Sequence, residues 1–270
     1  VESAGLTAVA FGPDPPRPNA QNPIHAVTEI VGHLTQACGQ WGATLTDLGR
    51  GADLLLTGRG EQGLAANVAE YYGIPLAGLH FFPQRIFSTG ALYSGMTREA
   101  ANAQRRALGL PEADGAAPAS LEIQAYDEMC LPRQATEWVE QGRPFVGALT
   151  LGLPTDADAE VLSWIAAGTP PICFGFGSTP IASAADTVAM IAGACAQLGE
   201  RALICGGPND FGETPPFDHV LVVDAVNHGA VLPTCRAVVH HGGAGTTAAG
   251  LRAGIPALIL WLWLDQPVWA

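Results

Sequence analysis

Apolar positions recur along this chain with two alternating periods. From His25 to about Leu48, the residues Ile30, Leu34, Ala37, Trp41, Leu45 and Leu48 return at helical spacing and predict a long amphipathic helix, ended by Gly49-Arg50-Gly51. Short apolar runs bounded by glycine and proline predict strands at Leu6–Phe11, Ala52–Thr57, Leu76–Phe82, Leu121–Tyr126 and Phe145–Leu149. Helices are expected at Gln62–Tyr72, stopped by Gly73, and at Arg98–Leu108. Asp14–Asn22, Gln84–Gly95 and Gly109–Ser120 read as loops.

After Leu149–Asp158, a stretch of glycine, proline and acids, the alternation begins anew. A helix at Ala159–Ala167 leads to a strand at Pro171–Phe176 and a helix at Ala184–Leu198. Strands at Ala202–Cys205 and Val220–Val223 and a helical turn at His228–Leu232 follow. The run Ala237–Ala253 then reads as strand, glycine loop and helix, and Ala257–Leu260 as a last strand. Strands alternating with helices imply parallel sheets covered on both faces. The expected fold class is α/β with two Rossmann-like parallel-sheet domains, residues 1–150 and 151–270.

Composition narrows the class. Hydrophobic residues make up 48% and charged residues 14%, as in a compact globular protein. The net charge of −13 argues against a nucleic-acid partner, which needs lysine and arginine to neutralise phosphate. Six scattered cysteines, with no CxxC pair, fit buried reduced thiols in a cytoplasmic protein. The apolar run Ala257–Leu264 is far shorter than the roughly 20 residues that cross a bilayer.

Candidate chemistry gathers in two glycine loops at predicted strand ends. Gly175-Phe176-Gly177-Ser178 offers a close backbone approach and a hydroxyl, or only a tight turn. The second loop runs from His240 to Thr247, and its glycines and helix start point free N–H groups at an anion. Gly243-x-Gly245-x-x-Ala248 also satisfies a dinucleotide fingerprint, with Asp265 about twenty residues on, so an NAD-type oxidoreductase is an alternative. Adjacent histidines at a strand end point to opposite sides, so His240 and His241 do not share one metal, and no metal is expected. One of the two can face the loop and donate to a diphosphate oxygen. No GxSxG elbow or Walker A lysine is present.

FGFGS at Phe174–Ser178, AVLPTCRAVVHHGGAGTTAAGLRAGIPALIL at Ala230–Leu260 and Asp265-Gln266-Pro267 together resemble nucleotide-sugar-dependent glycosyltransferases of the GT-B fold. The likeness is to bacterial enzymes, mycobacterial and actinomycete, that glycosylate lipopeptides, glycopeptides, macrolides and sterols, with weaker support from LHFFP at Leu79–Pro83. The resemblance implies an inverting, metal-independent transfer of a hexose or deoxyhexose from a UDP- or TDP-sugar to a hydroxyl of a lipophilic acceptor. No cofactor is implied beyond that co-substrate. It implies that His240, the backbone of Gly243, Ala244 and Gly245, and the Thr246 hydroxyl hold the diphosphate. Asp265 and Gln266 would bind the sugar, Gly177 and Ser178 would face the phosphates, and Val226 would lie against the nucleobase.

Against the family pattern the chain begins at its second strand–helix unit, ends before the last helices, and is short between Gln84 and Arg98. The expectation is therefore a partial chain whose general base lies upstream of Val1, with His25, His33 and His80 candidates by type alone. A catalytically silent, sugar-nucleotide-binding remnant is a further alternative. Apolar Trp261, Trp263, Phe81 and Phe82 would suit an apolar acceptor or peripheral contact at the inner face of the membrane.

Overall fold

A computed structural model describes residues 5–12, 23–58, 60–83, 89–114, 119, 121–179, 181–209, 211, 217–262 and 265–270. The expected loop at Asp14–Asn22, residues 84–88 of the expected loop at Gln84–Gly95, and the side chains of His25 and Trp263 lie outside the described residues. The chain divides into two compact units, Val1–Gly147 and Ala148–Ala270.

The first unit carries α1 (Pro23–Gly49), β1 (Leu55–Thr57), α2 (Gln62–Tyr72), β2 (Leu76–His80), α3 (Thr89–Ala107), β3 (Leu121–Gln124) and α4 (Ala135–Glu140). Its strands form a parallel sheet in the order β1-β2-β3, with Leu55 opposite Leu76 and His80 opposite Gln124. Ala37, Cys38 and Trp41 of α1 pack with Leu64 of α2. Glycines let these helices approach closely: a Cβ on Gly49 would stand 2.6 Å from Val68 Cγ1. Gly73, left-handed at φ 68°, ends α2 and returns its N–H to the last turn.

Three expectations for this unit are corrected. Residues 6–11 form no strand; they are exposed or half-exposed and find no ladder partner among the described residues. Phe11 is stacked on Trp41 at 5.8 Å, with its carbonyl accepting from Trp41 Nε1. The strand expected at Phe145–Leu149 shrinks to one bridge, Gln124 to Phe145, because Gly147 turns to φ 72° and leaves extended backbone. Thr89–Gly95 belongs to α3 and not to a loop.

The second unit holds α5 (Asp158–Ala166), β4 (Ile172–Gly175), α6 (Ala184–Leu198), β5 (Ala202–Cys205), β6 (Val220–Val223), α7 (His228–Val231), β7 (Ala237–His240), α8 (Ala244–Ala253), β8 (Ala257–Ile259) and α9 (Gln266–Trp269). Its five strands are all parallel, in the order β6-β5-β4-β7-β8. One core layer joins Val161 and Ile165 of α5 to Cys173, Leu203, Val231 and Val238. The other joins Val188, Ile191 and Cys195 of α6 to Ala202, Ile204 and Phe211. Both sheet faces are thus covered, which is why β4, β5 and β6 read as continuous apolar runs. Ser183 caps α6 by accepting the Asp186 N–H, and Gly199 at φ 67° ends it. No helix among the described residues is long and apolar enough to cross a membrane.

The most demanding polar feature lies in the first unit. Arg105, 7% exposed, donates to Asn67 Oδ1 at 2.9 Å, to Glu70 at 2.8 and 3.1 Å and to the Pro111 carbonyl. Asn67 in turn donates to Gln104 and to the Ala101 carbonyl, which ties α2 to α3. Arg105→Ala strands these acceptors and is expected to lower the unfolding free energy by about 1–3 kcal/mol. Urea denaturation of the two proteins measures this, and coincident midpoints would show that the network adds nothing to stability.

Candidate functional site

Strand order reverses between β4 and β7 in the second unit. The chain moves outward through β5 and β6, then returns to lay β7 on the other side of β4. Such a reversal opens a crevice at the carboxyl ends of the strands, where ligands bind in open parallel sheets. Both glycine loops leave the sheet at that crevice, with Gly175 directly opposite His240.

His241 occupies the space between the loops. Its backbone N–H donates to the Gly175 carbonyl at 3.3 Å, and its Nδ1 lies 3.3 Å from the same oxygen. A Cβ on Gly177 would stand 2.3 Å from His241 Cε1, and one on Gly243 would stand 2.5 Å from Nε2. The ring fits only because both flanking residues are glycine. Gly207, after β5, presses on Gly177 from the far side: a Cβ there would come within 2.6 Å of the Gly177 carbonyl oxygen. Asn209 ties these loops by donating to the Thr179 and Gly206 carbonyls and accepting the Ile181 N–H.

The expected place of His240 is corrected. Its side chain is 2% exposed, on the same inward face as Val238, and Nδ1 accepts the Gly242 N–H at 3.1 Å. Strand alternation decides this: with Val238 turned inward, His240 follows it and His241 falls on the other side. With Nδ1 accepting, the neutral ring carries its proton on Nε2, which is buried without a hydrogen-bond partner. Burial, with His241 and His228 nearby, pushes its pKa down to about 4. His241 is therefore the histidine beside the anion cradle.

The cradle itself is the start of α8. Gly243 is the N-cap, extended at φ −64° and ψ 139°, with no side-chain cap. The first return bond runs from Thr247 N–H to the Gly243 carbonyl, so the amides of Ala244, Gly245 and Thr246 precede the helical ladder. An uncapped N-terminus of this kind favours negative charge. Thr246 is half-buried on this first turn and Ser178 is exposed on the neighbouring loop. Gln266 is 6% exposed and packs against the loop, since a Cβ on Gly242 would stand 3.0 Å from Gln266 Cβ. Its Oε1 accepts the Leu262 N–H at 2.7 Å, and Asp265 Oδ2 accepts from Trp269 Nε1 at 2.9 Å. Val226 and Gly245 both line a cavity of about 420 Å³ beside α8. Asp158 holds one wall by accepting the Asn227 N–H at 2.8 Å.

The parts of the site thus lie along one edge of one sheet, from Ser178 through His241 and the α8 amides to Gln266. Asn209, Gly207 and Asp158 were invisible in the sequence because each acts through a residue 28 or more positions away, with only the glycine pair Gly206-Gly207 as a local signal. Among the described residues no three His, Cys, Asp or Glu are gathered to hold a metal ion, and the six cysteines are free thiols. The oxidoreductase alternative fits poorly. A dinucleotide loop follows the first strand of such a unit; here Gly243–Ala248 follows the fourth, β7, and Asp265 lies six residues beyond β8.

Rv1524 of Mycobacterium tuberculosis, an uncharacterized glycosyltransferase, is 55% identical over 306 aligned residues that take in the whole chain and 74% of that protein. The chain belongs to this glycosyltransferase family. Residues 208–270 match a family described as erythromycin biosynthesis protein CIII-like, C-terminal domain. The fold of this glycosyltransferase is GT-B. SnogD of Streptomyces nogalater superposes with a TM-score of 0.62 at 24% identity, over 96% of this chain and 69% of its own. Arabidopsis thaliana UGT89C1 complexed with UDP superposes with a TM-score of 0.67 at 14% identity, over 96% and 67%.

The buried His240 gives the glycosyltransferase a pH signature. Its folded pKa lies below the ordinary value of 6.5, so the unfolded chain takes up a proton that the folded chain refuses. The stability it confers is present above pH 6.5 and is lost as pH falls toward 4, on the order of 3 kcal/mol. Urea melts between pH 7 and 4 should show a shallower decline for His240→Gln than for the unaltered chain. Parallel profiles would remove His240 as the source.

Proposed function

We propose that this glycosyltransferase moves a hexose or deoxyhexose from a nucleoside-diphosphate sugar to a hydroxyl of a lipophilic acceptor, with inversion and without a metal. The observation that carries the reading is His241 wedged between two glycine loops at the uncapped start of α8. Departure of the nucleoside diphosphate develops negative charge on its outer phosphate. The amides of Ala244, Gly245 and Thr246 and the α8 dipole meet that charge. His241 adds a hydrogen bond to a phosphate oxygen, charge-assisted by the anion. Gly177 and Ser178 face the phosphates from the opposite loop, while Asp265 and Gln266 take hydroxyls of the sugar. These fixed dipoles supply the stabilisation that a metal supplies elsewhere. A single displacement by the acceptor hydroxyl, on the face away from the diphosphate, inverts the anomeric centre.

Apolar surface supports a lipophilic acceptor: Phe81 is 50% and Trp261 53% exposed. The general base is not assigned to His80, which is buried at the end of β2.

Tryptophan fluorescence titration with UDP, TDP and NAD tests the donor. A nucleoside diphosphate should bind at submillimolar concentration and NAD should not. His241→Ala should weaken that binding about 10–100-fold, the loss of one charge-assisted hydrogen bond. Asp265→Ala should spare the nucleoside diphosphate and weaken only the nucleotide sugar. Equal affinities in His241→Ala and the unaltered chain would overturn the assignment, and donor binding without transfer to any acceptor would mark a silent binding protein.

A further inference from the structure

Two tight turns meet beyond the carboxyl ends of β4 and β5. Phe176–Thr179 closes through the Thr179 N–H on the Phe176 carbonyl at 3.1 Å. Gly206–Asn209 closes through the Asn209 N–H on the Gly206 carbonyl at 3.3 Å. Each has a left-handed glycine at its second position, Gly177 at φ 55° and Gly207 at φ 62°. Gly207 lies against the Gly177 carbonyl oxygen, which a Cβ would approach to 2.6 Å. Beside that contact, Asn209 Nδ2 donates to the Thr179 carbonyl at 3.1 Å and to the Gly206 carbonyl at 3.0 Å. Its Oδ1 accepts the Ile181 N–H at 3.2 Å. Both hydrogens and the oxygen of one side-chain amide are thus committed to backbone.

The second turn is the anchored one. Gly206 and Gly207 donate their N–H groups to the Val223 and Asp224 carbonyls at 2.9 and 2.8 Å, which fastens the turn to the end of β6. Phe211 stacks on Phe176 at 6.2 Å and is buried with Val188 and Ile191 of α6. The first turn carries Ser178, exposed, at its third position. Both neighbours of Ser178 are gripped by the second turn, Gly177 by Gly207 and Thr179 by Asn209.

We infer that Asn209 is a positioning residue for donor cleavage: it holds the Phe176–Thr179 turn so that the Ser178 hydroxyl meets the outer phosphate as negative charge grows there. The inference rests on the donor-site reading above. A hydrogen-bond donor stabilises developing charge only when held within about half an ångström of its productive place. At pH 8 the outer phosphate of a free nucleoside diphosphate is a dianion, whereas in the sugar-linked donor it is a monoanion. A hydroxyl aimed at it therefore contributes more to binding the diphosphate than to binding the donor. A residue that merely stabilised the fold would affect both ligands alike.

Dissociation constants for the full chain at pH 8, from tryptophan fluorescence with UDP, UDP-glucose, TDP and TDP-glucose, test this. In the pair that binds, Asn209→Ala should weaken the nucleoside diphosphate about 10-fold and its glucose conjugate less than about threefold. Asn209→Ser keeps one donor, should fall between, and carries the test if the alanine variant does not fold. In a Ser178→Ala background, the Asn209 substitution should cost the diphosphate less than about threefold, because the group it positions is gone. Equal losses for the two ligands, no loss, or losses that multiply in the double variant overturn the role of Asn209 and leave the donor-site reading standing. Failure of the unaltered chain to bind any of the four ligands at millimolar concentration overturns that reading, and the inference with it.

Discussion

One steric constraint organises the second unit: the His241 imidazole sits where two loops can close on it only if Gly177 and Gly243 carry no side chain. That arrangement depends on the pairing of β4 with β7, which sets Gly175 opposite His240 and brings together loops more than sixty residues apart. The pairing also aims α8 at the crevice, so its unbonded amides and His241 converge on one space. Gly207 extends the same logic to a third loop, which reaches the Gly177 carbonyl closely enough that only glycine fits.

The histidine pair divides two tasks that adjacent residues on a strand keep apart. His240 points into the core, where neutrality is enforced by burial and its Nδ1 fixes the Gly242 amide. His241 stands at the sheet end with its ring between the Gly177 and Gly243 loops. A chain of net charge −13 cannot attract a diphosphate by its overall field. Under the proposed function the attraction is local, and the helix start with one histidine would provide it over a few ångströms.

Local signals were legible where they act within a few residues. The limits of α2 and α6 coincide with those expected, because Gly73 and Gly199 take left-handed conformations that end a helix. β5 and β6 also coincide, both four-residue apolar runs, β5 buried inside the parallel sheet and β6 half-buried at its edge. Residues 6–11 have the composition of a strand, yet strand formation needs a partner edge that apolar character does not supply. Phe145–Leu149 carries the same composition but is broken at Gly147. Thr89–Gly95 is helical despite two glycines, as a continuation of the helix that packs on α1 and α2.

The sequence by itself determined the alternation of strands and helices, the glycine loop between β7 and α8, and the glycosyltransferase resemblance. Each is carried by residues adjacent in the chain or by a short fixed spacing. Only the tertiary structure decided which histidine faces the loop, that Asn209 ties two loops together, and that Val226, Gly245 and Ala249 share one cavity. Those outcomes depend on strand register and side-chain direction, and a shift of one residue in β7 would exchange His240 and His241. Register is set by the packing of both sheet faces at once, and no single segment of sequence contains it.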